Sequence, residues 1–156
     1  MYKYLLIFLV SMVPLVELRG SIIMAVGWNL DYFTSLAICV IGNMLPVPVI
    51  YFFARKVLVW GADKKYIGKF FAFCLEKGER AGQKLRKTAG RGGLFVALML
   101  FVGIPIPGTG AWTGTLAASF LNMGIKSTAA SVSLGVIIAG IIMGLASTGV
   151  FSIIGL

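Results

Sequence analysis

Two ionisable side chains, Glu17 and Arg19, stand inside an otherwise apolar run from Tyr4 to Val26. A charge at the depth such a run implies costs ~2.5–3.5 kcal/mol on insertion scales, and more by simulation. Groups kept there at that cost pair with one another, face a water-filled cavity, or mark the path of a solute or ion. Glu17 is suited to exchanging a proton or cation, and Arg19 to holding the carboxylate or an anion. A second interrupted stretch answers the first: Gly103-Ile-Pro-Ile-Pro-Gly-Thr-Gly-Ala-Trp-Thr-Gly114. It breaks an apolar run with proline and glycine instead of charge. Half-helices that end at such breaks leave backbone N–H groups able to hold an anion. Gly108, Thr109, Gly110 and Ala111 could present those groups opposite Glu17 and Arg19. Pro14, Pro107 and Trp112 flank them, with Trp112 either stacking on a solute or anchoring the packing. Asn43 is the one strongly polar side chain of the intervening apolar segment. It either lines the same cavity or makes a hydrogen bond between helices.

Other chemistry has little to work with. Histidine is absent, which removes the commonest metal ligand and the side chain that titrates nearest neutrality. Cys39 and Cys74 lie far apart and form neither a CxxC pair nor a disulfide framework. No metal, no cofactor and no nucleophile–base pair is expected, so an enzyme is the least expected class.

The elements that must position these residues follow from composition. The chain has 156 residues, 59% hydrophobic and 12% charged, with a mean hydropathy of +0.98. Soluble domains are about half apolar and about a quarter charged. The expectation is an all-α integral membrane protein with about four embedded segments. The net charge of +9 is concentrated: Arg55 to Arg91 holds eleven Lys/Arg against three Asp/Glu. A basic stretch between membrane segments reads as cytoplasmic, beside anionic lipid, before it reads as nucleic-acid binding. The first apolar run has no clear cleavage site and does not read as a signal peptide.

Residues 4–13 form an apolar piece of ten, ~15 Å as a helix and about half a bilayer. Pro14 follows, and residues 21–28 are a second short piece. These form either one kinked spanning helix or a re-entrant hairpin with its tip at Pro14 to Gly20. The hairpin fits better, because Pro14 removes a donor and Gly20 permits a turn. Two residues apart on a helix point about 200° apart, whereas in an extended tip they share a face. A direct Glu17–Arg19 pair, or two groups facing one cavity, therefore favours the broken segment. Residues 28–33 read as an interfacial turn, with Trp28 and Tyr32 at the headgroups. Thr34 to Ala54 is long enough to span once and stops at Arg55-Lys56.

Residues 64–88 read as a basic amphipathic helix. Ile67, Phe70, Phe71, Cys74, Gly78, Ala81 and Leu85 fall on one face. Gly78, Gly82 and Gly90 weaken it, and residues 89–93 read as a turn. Leu94 to Ile104 is again a half-length piece, and Ala111 to Leu121 returns from the break. Asn122 to Lys126 is a loop, and Ser127 to Leu156 is the last segment. The expected organisation is one membrane domain: a first repeat (1–54), a cytoplasmic connector (55–93) and a second repeat (94–156). In fold terms it is an inverted repeat of two re-entrant helical hairpins, each followed by a transmembrane helix. The inversion places Lys126 inside, in accord with the charge rule, and Lys3 outside, against it. Gly140 and Gly144 form a GxxxG that serves the fold or a homodimer.

Pro14-x-x-Glu17-Leu-Arg19-Gly20 and Pro105-x-Pro107-Gly108-Thr109-Gly110-Ala111-Trp112-Thr113-Gly114 resemble the signatures of the small multi-drug export family of prokaryotic membrane proteins. The resemblance covers nearly the whole chain. It implies a transporter-like fold in the cytoplasmic membrane. That family is in turn similar in architecture to the DedA superfamily, whose members carry two facing re-entrant hairpins and are linked to lipid-carrier transport. The stretch from Gly108 to Gly114 lacks the paired arginines expected of a DedA second hairpin. Three functions are compatible with these residues. One is a secondary transporter of a small solute or ion, with Glu17 carrying the coupling. Another is a lipid flippase or scramblase, with Arg19 holding a phosphate. The last is a scaffold in which the charges only lock the hairpins together.

Overall fold

A computed structural model describes residues 2–14, 16–63, 68–106 and 109–154. Among them every regular element is a helix: α1 (Tyr2–Met12), α2 (Glu17–Gly27), α3 (Tyr32–Met44), α4 (Pro46–Ala62), α5 (Gly68–Gly103), α6 (Ala111–Phe120) and α7 (Ile125–Ile154).

The first pair is a helical hairpin. α1 and α2 have eleven residues each, about 16 Å. The Lys3 ammonium lies 5.8 Å from the centre of the Trp28 ring, so the start of α1 and the end of α2 are neighbours. The reversal does not use Gly20, as the sequence suggests. The left-handed residue is Glu17, with φ of 50°, a conformation that costs an L-residue roughly 1–2 kcal/mol. Gly20 lies inside α2, where a Cβ would overlap the Val16 side chain. Nor is the tip extended across Glu17 and Arg19, because both sit on the first turn of α2.

Asp31 caps α3, accepting the Thr34 N–H at 2.8 Å. Hydrogen bonds from the Thr34 side chain and backbone hold the Asp31 carboxyl below its ordinary pKa. At Leu45 the backbone stays helical (φ −59°, ψ −44°), while Pro46 and Pro48 withhold two donors and so divide α3 from α4. The continuous rod from Tyr32 to Ala62 has 31 residues, about 46 Å. It outruns the expected span of Thr34 to Ala54. Arg55 and Lys56 do not end the helix, since both are good helix formers.

α5 is interrupted once, at Gly90 (φ 67°, ψ −173°). The expected turn over 89–93 narrows to that residue, and Gly78 and Gly82 do not break the helix. Ile67 and the side chains of Phe70, Phe71, Cys74, Gly78, Ala81 and Leu85 lie outside what the structure describes. Beyond Gly90 runs a short apolar helix, Gly90–Gly103.

α1 and α3 run parallel. Cys39 Sγ lies 3.9 Å from the Ile7 carbonyl, and a Cβ on Gly42 would meet the Phe8 carbonyl at 2.7 Å. The end of α5 and α7 run parallel in the same way. Ser131 donates to the Phe95 carbonyl at 2.6 Å, and a Cβ on Gly135 would meet the Met99 carbonyl at 2.7 Å. α3 and α7 run antiparallel: Tyr32 donates to the Gly140 carbonyl at 3.1 Å, and Ser133 to Met44 Sδ at 3.4 Å. Gly140 and Gly144 thus receive Leu18, Leu36 and Tyr32 from within the chain.

Gly42→Ala and Gly135→Ala should each destabilise the protein by about 1–3 kcal/mol, because the added methyl meets a backbone carbonyl fixed in a helix. Gly92→Ala, where a Cβ meets nothing within 4 Å, should leave the melting temperature unchanged or slightly raised. Thermal unfolding in detergent checks all three.

The packing is polar inside and apolar outside. Ser11, Ser21, Ser35, Asn43, Thr115, Ser119, Thr128 and Ser131 are buried, while Phe33, Leu145 and Phe53 are 78%, 70% and 67% exposed. In water this arrangement would leave large apolar area uncovered. In lipid it is the usual one, since small and polar residues hold membrane helices together. Two helical stretches, Tyr32–Ala62 and Ile125–Gly149, are long and apolar enough to cross a membrane.

Candidate functional site

The site forms where the two chain breaks meet. On one side are Val13, Pro14 and Val16, on the other Ile104, Pro105, Ile106, Thr109 and Gly110. Pro105 has no N–H to continue α5, and the carbonyls of Ile104 and Ile106 are left beyond its end. α6 begins at Ala111 from an extended Gly110 (φ −166°), which brings no side chain to cap it. The Gly110 N–H is taken by Thr113 Oγ1 at 2.9 Å. The next two N–H groups look across to the other break.

Glu17 meets them. Its Oε2 accepts from the Ala111 N–H at 3.1 Å and its Oε1 from the Trp112 N–H at 3.0 Å. The residue is 6% exposed. A carboxylate at a helix N-terminus is favoured by both the unpaired donors and the helix dipole. The anion that the second break was expected to hold is therefore the protein's own. The fit is close: a Cβ on Gly110 would lie 2.5 Å from Glu17 Cδ.

Arg19 does the complementary work. One guanidinium nitrogen donates to the Ile106 carbonyl. The other donates to the Ile104 carbonyl at 3.2 Å and to Thr109 Oγ1 at 2.9 Å. The positive side chain thus closes the negative end of α5, while the negative one closes the positive end of α6. The two residues are spent on opposite ends of the same break instead of on each other.

Trp112 returns the arrangement. Its indole N–H donates to the carbonyl of Met12, the last residue of α1, at 3.2 Å. Each hairpin therefore caps the other with a side chain from its second helix. The packing-anchor reading of Trp112 gains this polar contact, which sequence reasoning missed. One signal was present: a helix starting at Gly-Ala-Trp with no Ser, Asp or Asn before it must find its partners elsewhere. Trp112→Phe removes the donor together with part of the ring's packing, and should cost more than the ~1 kcal/mol of the hydrogen bond alone. Amide hydrogen exchange at the end of α1 should quicken in that variant.

Pro14, Glu17, Arg19, Thr109, Gly110 and Trp112 line one cavity of about 160 Å³, with Leu116 in its apolar wall. Asn43 stands behind the junction, 1% exposed. It shares with Glu17, Arg19 and Gly110 a smaller cavity of about 10 Å³. Its Oδ1 has no hydrogen-bond partner, and the space is roughly that of one water. Of the expected site residues the junction thus gathers seven: Pro14, Glu17, Arg19, Asn43, Thr109, Gly110 and Trp112. Pro107 and Gly108 lie outside the described residues. Among the described residues no cluster of three His, Cys, Asp or Glu is placed to hold a metal.

No curated protein and no solved structure matches the chain. The family model described as "Putative small multi-drug export protein" matches residues 17–142. The matched stretch opens on the carboxylate that caps α6 and takes in every described partner of Arg19. The chain is a membrane protein and belongs to this small multi-drug export family.

Proposed function

We propose that the chain is a small exporter of the cytoplasmic membrane. In this reading α1–α2 and the end of α5 with α6 are two re-entrant hairpins in an inverted repeat. The rod from α3 through α4 and α7 would cross the bilayer, and residues 55–93 lie in the cytoplasm. The parallel and antiparallel pairings and the basic connector support that placement. The cavity between the breaks is the solute site. About 160 Å³ suits a single ring, since an apolar cavity of about 150 Å³ takes benzene.

The observation that carries the reading is the seat of Glu17 on the first turn of α6. A proton arriving at this carboxylate removes the charge that holds two N–H groups. The α6 end is then released, and the cavity opens between the hairpins. Loss of the proton on the other side restores the cap. Glu17 is the coupling group, and Arg19 keeps the end of α5 fixed while α6 moves.

Proteoliposomes with an entrapped pH dye test this, with benzyltrimethylammonium as the small-ring probe. Addition of the probe should drive proton movement in the parent protein. Leu116→Trp, which fills the cavity, should abolish it with the melting temperature preserved. Flux no greater than in protein-free vesicles, or undiminished in Leu116→Trp, overturns the reading.

A further inference from the structure

A second cavity, larger than the one at the junction, lies elsewhere. It measures about 450 Å³ and lies where the start of the α5 end segment meets the loop between α6 and α7. Arg91 and Lys126 line it, with the Ser127 hydroxyl beside them. No carboxylate is among its lining residues. Leu94 and Met123, each 3% exposed, form an apolar wall. A Cβ on Gly124 would meet nothing within 4 Å, so this wall is open. Arg91 follows the kink at Gly90, which ends the connector, and lines the cavity together with Lys126.

Two cations and a hydroxyl around a cavity of this size, with an apolar side, have a definite complement. It is an anionic, phosphate-bearing group with room for an uncharged portion against Leu94 and Met123. We propose that this cavity binds a phosphate-bearing anion, of the kind carried by an anionic phospholipid headgroup or by a free phosphate species. Anionic lipid gains affinity from each Lys or Arg near the membrane surface, and Arg supplies the planar donor fork that phosphate accepts. The proposal does not depend on the transport reading, because none of these residues touches the junction cavity.

The purified full chain is examined by native mass spectrometry with phosphatidylglycerol and with phosphatidylcholine. A thermal-shift titration with inorganic phosphate runs in parallel. Phosphatidylglycerol should be retained over phosphatidylcholine. Affinity should fall roughly thirtyfold in Arg91→Gln/Lys126→Gln. The charge-keeping pair Arg91→Lys/Lys126→Arg should retain most of it, and Lys56→Gln should leave it unchanged. Protection by inorganic phosphate that is lost in the same double variant, without preference for the anionic lipid, assigns the site to a free anion. Equal retention of both lipids without phosphate protection overturns the proposal. So does binding that survives the double variant, or an equal loss in Lys56→Gln.

Discussion

Glu17→Gln should cost the protein about 2–3 kcal/mol of stability and abolish probe-driven proton flux. The reasoning starts from what the carboxylate accepts. Two backbone N–H groups, from Ala111 and Trp112, point at its two oxygens, and hydrogen bonds to a charged group contribute ~1.5–3 kcal/mol each. Glutamine keeps one acceptor oxygen. Its amide nitrogen then faces the other N–H, donor against donor, in a site that is almost fully buried. The charge that favoured the helix N-terminus is gone as well. Glu17→Asp keeps the charge but is one methylene short, so it should recover stability only in part. Backbone strain can be separated from the cap by comparing alanine with glycine. Both lose the carboxylate, but glycine accepts φ of 50° and should be about 1 kcal/mol the more stable. Thermal unfolding gives the stability order, and amide exchange at Ala111 and Trp112 locates the damage. A carboxylate that only locks the hairpins together makes a different forecast: Glu17→Gln would lose stability while flux, measured below its melting temperature, persisted.

Much of this arrangement is legible in the sequence. Charge inside an apolar run and a proline–glycine break in another mark the two halves of the junction, and half-length apolar pieces mark the helices beside them. Local chemistry misleads at the turn itself. Gly20 is the residue a turn would prefer, yet Glu17 takes the left-handed conformation and Gly20 makes room for Val16. Tertiary packing chose between them, and no local pattern carries that information. The same is true of the direct Glu17–Arg19 pair, one of the two expected arrangements; in the other, both groups face one cavity, and both do line one. Spacing correctly implies that residues two apart on a helix diverge. What spacing could not say is that α2 starts at Glu17, so that divergence is what lets one side chain reach α6 and the other α5. The hydrogen bond from Trp112 to Met12 joins residues a hundred positions apart and leaves no periodic trace. The GxxxG of Gly140 and Gly144 was readable as a close-approach surface. Its occupants, Leu18, Leu36 and Tyr32, were not.

Arg19→Lys should be almost as damaging as Arg19→Ala, although lysine keeps the charge. The guanidinium reaches three acceptors from two nitrogens: the carbonyls of Ile106 and Ile104, and Thr109 Oγ1. Those acceptors are spread over a turn that has no N–H at Pro105. The Thr109 hydroxyl lies 2.8 Å from the Ile104 carbonyl and 2.9 Å from the Ile106 carbonyl, with one proton to give. The Ile106 and Thr109 N–H groups give each of these carbonyls one backbone donor; Arg19 adds a charged one, and a planar fork can serve separated acceptors where a single ammonium cannot. Arg19 is only partly buried, so water repairs some of the loss. The expected cost is about 2 kcal/mol for alanine and only slightly less for lysine, toward the low end for charged hydrogen bonds. Thr109→Val removes both the acceptor for Arg19 and the side-chain donor that the two carbonyls share. Combined with Arg19→Ala it should cost less than the sum of the two, because they share partners. A double-mutant cycle on melting temperature checks the coupling, and strict additivity would mean that Arg19 and Thr109 hold the end of α5 independently.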